Sequence, residues 1–184
     1  MVTNSFIETY IQVISDNYPN VKCHALGDGS VYEDLVWDSG DPIPPKAELD
    51  VACTLYTQNI MWTAIQGDRD LRKFSGVKIG DYWFHTDNSS RIQYLGLVIM
   101  GSGMPDGVMW KTMTGEFVPM TPALAISVFM GVAVQDMQTF AIAEAHHADM
   151  LLSNDPGNYD YYSVAVVPAW PVVYTDVYPN AIIF

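Results

Sequence analysis

"DYWFHTDNSSRIQYLGL", residues 81–97, changes its structural instruction three times. Tyr82, Trp83, Phe84 and His85 form an aromatic run suited to a short strand. Thr86 or Asp87 then offers a side-chain oxygen to the first amides of a helix. Ile92, Leu95, Val98 and Ile99 follow at helical spacing and are expected to face inward. Just upstream, Gly80–Asp81 marks a turn, so Val77–Ile79 and Tyr82–His85 read as the arms of a hairpin. His85 is of the right type for a general base, but a base needs an orienting partner and a substrate pocket. Nothing at a defined spacing supplies either, so His85 reads as a packed or capping residue.

The same alternation repeats downstream. "GSGMPDG" ends the helix, and "VMWKTMTGEFVPM" reads as a second hairpin turning at Thr114–Gly115. Thr121 and Pro122 then form a strong helix start, a capping hydroxyl followed by proline in the first turn. The helix is expected to run from 122 to 152, about 45 Å at ~1.5 Å per residue. Between Ala123 and Val134 only Ser127 carries a polar side-chain group. A helix apolar all round must be covered on every side. Its expected cover is further copies of the chain, through Leu124, Ile126, Val128, Phe129, Met130, Val134 and Met137. Wrapping by the chain's own hairpins is the alternative.

Working towards the other end, "SFIETYIQVISD" places Phe6, Ile7, Tyr10, Ile11 and Ile14 on one helical face. Strand candidates near Lys22–Ala25 and Val31–Trp37 flank a Gly-Asp-Gly-Ser turn. "DPIPP" is a stiff break, after which Lys46 to about Gln66 reads as a helix interrupted at Gly67. The expected organisation is a helix-plus-hairpin module over 1–43, a linking helix over 44–76, an α+β domain over 77–153 and an extended arm over 154–184. The fold class is α+β, with short hairpins alternating with helices. The arm is aromatic and broken by Pro168, Pro171 and Pro179, which suits neither a flexible linker nor a central strand. It is expected to hold a partner through Tyr161, Tyr162, Trp170, Tyr174, Tyr178 and Phe184, with folding back onto its own chain as the alternative.

Composition narrows the function classes. The 184 residues are 49% hydrophobic and 16% charged, enough to build a core. The formal net charge is −13, and all eight Lys and Arg lie at or before Lys111. Such a surface repels phosphate backbones, so no nucleic-acid partner is expected. No unbroken apolar run approaches twenty residues, and no secretory signal or membrane span is expected. Cys23 and Cys53, thirty positions apart without further Cys or His spacing, read as buried reduced thiols.

Chemical motifs are weak. Glu144 and His147 have the Glu-x-x-His spacing of di-iron bundles, but no second copy of the motif exists. His146, His147 and Asp149 remain candidates for a contact between subunits. Asp34, Asp38 and Asp41 lie in an acidic stretch without the alternation of a calcium loop, and read as a solvated face. P-loop, dinucleotide, nucleophile-elbow and zinc-protease motifs are missing from the sequence. Neither enzyme activity, nor a cofactor, nor a bound metal is expected.

The words "VKIGDYWFHTDNSSRIQYLGLV", "VMWKTMTGEFVPMTPALA" and "FAIAEAHHADML" together resemble a domain of unknown function from tailed bacteriophages. That domain occurs towards the C-terminus of tail-fibre, tail-fibre-assembly and other tail-associated proteins. The resemblance spans about Leu71 to Leu152, a little under half of the chain. It brings no catalytic residues. It implies a structural virion protein of the tail, made in the host cytoplasm, partnered by other tail proteins and by itself, with a trimer the expected symmetry. A tail-fibre assembly chaperone absent from the finished particle is the rival reading. A host-surface polysaccharide-binding or hydrolytic module is the distant one.

Overall fold

In a computed structural model the chain is described at residues 9–38, 40, 42–162 and 167–180. Phe6, Ile7, Asp41 and Phe184 lie outside those residues. The described elements alternate helices with antiparallel two-stranded hairpins, an α+β architecture. In chain order they are α1 (Thr9–Asn17), β1 (Cys23–Ala25), β2 (Leu35–Trp37), α2 (Lys46–Lys73), β3 (Val77–Ile79) and β4 (Tyr82–Phe84). There follow α3 (Asn88–Met100), β5 (Met109–Lys111), β6 (Phe117–Pro119), α4 (Pro122–Leu152) and α5 (Tyr174–Val177). Two compact units emerge. One comprises the chain up to Ala64 with Ala148–Asp160; the other comprises Ile65–His147 with the residues from Tyr161 onward.

In the first unit α1 buries Val13 and Ile14 against Leu35 and Leu49, with Tyr10 and Ile11 at the rim. The β1–β2 hairpin pairs Cys23 with Trp37 and Ala25 with Leu35. Between its strands, Tyr32–Asp34 forms a 3-10 turn, so the second strand is shorter than the sequence suggests. Tyr10 donates to Asp50 at 2.5 Å, and Lys46 reaches the same carboxylate at 3.0 Å. Both cysteines are free and half-buried. Burial, aided by the Asp50 charge, pushes the Cys53 thiol up to about 11, so it stays protonated at neutral pH.

The interruption expected at Gly67 does not occur: α2 runs unbroken from Lys46 to Lys73. A single mid-helix glycine costs only ~1 kcal/mol, less than the surrounding helix formers return.

The second unit is built on the corner quoted above. Val77 pairs with Phe84 and Ile79 with Tyr82. Asp87, not Thr86, caps α3, accepting from the Ser90 amide at 3.0 Å. Thr86 is buried and its hydroxyl accepts instead from the Gly76 amide at 2.9 Å. Gly76 has φ +90, and a side chain there would collide with Met113. In the second hairpin Met109 pairs with Pro119 and Lys111 with Phe117. Its turn is joined to β4 through the Met113 amide and the Trp83 carbonyl at 2.9 Å. The core gathers Val77, Phe84, Tyr94, Val118, Met120, Ala125, Val128 and Val132. The Tyr94 and Trp110 rings lie 4.6 Å apart between hairpin and helix.

One face was expected the wrong way round. On α3, Tyr94 is fully buried, while Ile92 is 70% and Ile99 76% exposed. Arg91 explains the orientation. It donates to the Thr86 and Lys73 carbonyls and grips Asp136 with two nitrogens, at 2.6 and 3.0 Å. The polar anchor and the Tyr94 ring share one side of the helix, so Ile92, Leu95 and Ile99 turn outward, while Leu97 and Val98 pack partly against the core.

Candidate interaction surface

Helix α4 begins where the sequence places it. Thr121 accepts from the Leu124 amide at 3.1 Å, and Pro122 occupies the first turn. Two local features fix which side faces in. Gly131 lies where any side chain would meet Ile79 of β3, so backbone approaches sheet closely. Gln135, itself buried, donates to the Gly76 carbonyl at 3.0 Å. Ala125, Val128, Val132, Gln135, Thr139, Ala143 and His146 are accordingly buried within the second unit.

The opposite side has no such cover within that unit. Ile126 is 48%, Met130 55%, Met137 66% and Phe140 39% exposed, and Val134 is exposed beside them. With the exposed Ala123 and Ala133 they form a continuous stripe. Its positions 123, 126, 130, 133, 137 and 140 step by three and four in strict alternation. From Pro122 to Ala143 the one charged residue of the helix is Asp136, half-buried and held by Arg91. Arg69 and Lys73 sit over the Phe140 ring at 4.5 and 5.0 Å, closing one edge of the stripe.

The residues anticipated for self-association therefore divide. Ile126, Met130, Val134 and Met137 lie on the exposed stripe. Val128 is corrected: it is fully buried in the chain's own core and has no surface to offer. Leu124 and Phe129 pack partly against that core. Phe140 and the two alanines were missed, although the three-and-four spacing starting at Ala123 carries them.

The described parts of the expected arm, 154–162 and 167–180, are not held away from the chain. Trp170 stacks on buried His146 with ring centres 5.4 Å apart, and its indole nitrogen donates to the Tyr161 carbonyl at 3.0 Å. The Tyr174 amide donates to the Ser75 carbonyl at 2.8 Å, and its hydroxyl donates to the Met113 carbonyl at 3.2 Å. Arg72 donates to Asp176 at 3.0 Å. Trp170 and Tyr174 are thus corrected from partner contacts to internal anchors; their large apolar bodies find cover on the same unit. Tyr162 and Tyr178 remain exposed, Tyr161 is half-buried, and Tyr162 donates to Asp68. His146 is likewise interior. His147 lies 3.9 Å from Glu144, and Asp149 accepts from the Tyr159 hydroxyl at 2.9 Å.

His85 is half-buried and its carbonyl accepts from the Tyr94 hydroxyl at 3.1 Å. Burial holds its imidazole below the ordinary range; Asp87 opposes that and Lys111 adds to it. A cleft of about 410 Å³ beside the hairpins is lined by Lys78, Asp81, Trp83, Thr114, Glu116 and Tyr178, and His85 is not among them. Among the described residues, no three His, Cys, Asp or Glu side chains converge as a metal site. By length and apolarity α4 also meets the requirement for crossing a membrane.

Hairpin, capped helix, hairpin and long helix, in that order, define an α+β domain with one helix face left apolar. The chain belongs to the family described as Domain of unknown function (DUF4376), whose sequence profile matches residues 56–163, more than half its length. No curated protein and no solved structure matches it.

Proposed function

We propose that the chain is a non-enzymatic structural component of a bacteriophage virion, associated with the tail and assembling through the outward face of α4. The observation that carries the assembly role is the uncharged, half-exposed stripe from Ile126 to Phe140 on a chain of net charge −13. A soluble helix ordinarily turns charged residues to water; large apolar patches mark interaction sites. The tail context rests on the resemblance of the stretch from about Leu71 to Leu152 to the phage tail domain. Other tail proteins are its proposed partners, and among the described residues Tyr162 and Tyr178 are exposed aromatics of the C-terminal segment.

Mass spectrometry of purified virions tests this reading. The chain is expected in stoichiometric amounts with the tail proteins. Its absence from particles, with abundance in infected-cell extract, would replace the component by an assembly chaperone.

A further inference from the structure

We infer that the outward stripe of α4 is covered by the same stripe of a second copy, packed antiparallel as a left-handed helix pair. This deepens the assembly role proposed above, from which it takes only the face used. Three observations single out that occupant. The first is spacing. Exposed positions Ala123, Ile126, Met130, Ala133, Met137 and Phe140 alternate steps of three and four in a seven-residue repeat, the spacing that keeps a seam facing another helix. At roughly half exposure each, the large members leave on the order of 500 Å² of apolar surface, in the range of functional patches on monomers.

The second is size complementarity. Antiparallel packing brings the two kinds of seam position opposite each other. With Met130 opposite Ala133 of the other copy, Ile126 falls opposite Met137 and Ala123 opposite Phe140. Each small residue meets a large one, and the twofold axis repeats each pairing. Parallel, in-register packing instead sets Phe140 on Phe140 and Ala133 on Ala133, crowding some layers and emptying others.

The third is charge. Parallel packing stacks Glu144, the next seam position, on its own copy. Antiparallel packing carries Glu144 opposite position 119 of the other copy, just ahead of the start of its α4 at Thr121–Pro122. That first turn has no acidic residue of its own, and its free amides form the positive end of the helix dipole. A lipid surface fits less well. Helix α4 itself carries no Lys or Arg of the kind that anchors interfacial helices, Arg69 and Lys73 flank the stripe only at Phe140, and the net charge of −13 opposes anionic headgroups.

Light scattering on the full chain is expected to give twice 20.5 kDa at micromolar concentration. Met130→Glu should halve that mass while leaving the circular dichroism spectrum and thermal midpoint unchanged, since the side chain is exposed. Met137→Glu serves the same purpose should the first variant unfold. With Cys23 and Cys53 replaced by Ser, the pair Ile126→Cys and Met137→Cys should join two chains on oxidation, and Met137→Cys alone should not. A monomer, a trimer, or efficient linkage through Met137→Cys alone would overturn the arrangement. So would a monomer that floats with phosphatidylcholine–phosphatidylglycerol vesicles, which would assign the stripe to lipid. The particle mass spectrum is independent of all these outcomes, so the pairing and the virion role fail separately.

Discussion

Asp87 shows what one carboxylate does at a chain corner. It accepts from the amide and the hydroxyl of Ser90, at 3.0 and 2.6 Å, and so satisfies donors that the start of α3 leaves open. Burial pushes its pKa up, but the Ser90 and Ser89 hydrogen bonds outweigh that and hold it below the usual carboxylate range. A depressed folded-state pKa means stability that is present above the ordinary carboxylate value and lost as pH falls through the lowered one. Asp87→Ala should cost about 1 kcal/mol in urea unfolding at pH 7, with the difference from wild type shrinking below about pH 4. His85 gives a second window. Its imidazole is also depressed, so its contribution is present above roughly pH 6.5 and declines as pH falls through the folded value. The urea midpoint of wild type should fall between pH 7.5 and 5 by a margin that His85→Gln lacks. These residues were legible because capping chemistry is local: the choice was between neighbours, and the buried Thr86–Gly76 contact decided it.

The helices show where local reading fails. On α3 the aliphatic periodicity marks a face, but Ile92, Leu95 and Ile99 point to water and, of that set, only Val98 packs partly against the core. Hydropathy cannot register that Arg91, the least apolar residue nearby, has three separate acceptors inside the fold. Its side chain and that of Asp136 are each about a quarter exposed, so Arg91→Met should cost about 2–3 kcal/mol, below the range for fully buried pairs. Chemical denaturation checks this, and Arg91→Lys should recover only part of the loss because it cannot fork. On α4 length and start were legible, but which side faces in was not. Both sides are apolar, so the hydrophobic pattern carries no phase. Gly131 and Gln135 set it, through contacts with Ile79 and Gly76 more than fifty residues away.

At the scale of the whole molecule, the second unit is assembled from distant stretches. Arg72 and Asp176 are 104 positions apart, Tyr174 and Met113 are 61 apart, and no local signal announces either meeting. The aromatic segment was recognised as sticky; that it adheres to its own chain is a property of the finished fold. Trp170→Ala should remove the stack on His146 and cost about 3 kcal/mol. Amide exchange should then quicken at Tyr174, whose amide is held by the Ser75 carbonyl, and leave the Val77–Phe84 pairing protected.

The late arrival of that segment has a consequence during synthesis. Ser75, Met113 and His146 must wait for Trp170 and Tyr174 to leave the ribosome before the second unit can close around them. Until then a growing chain shows water the unfilled seat around Ser75, Met113 and His146 in addition to the stripe of α4.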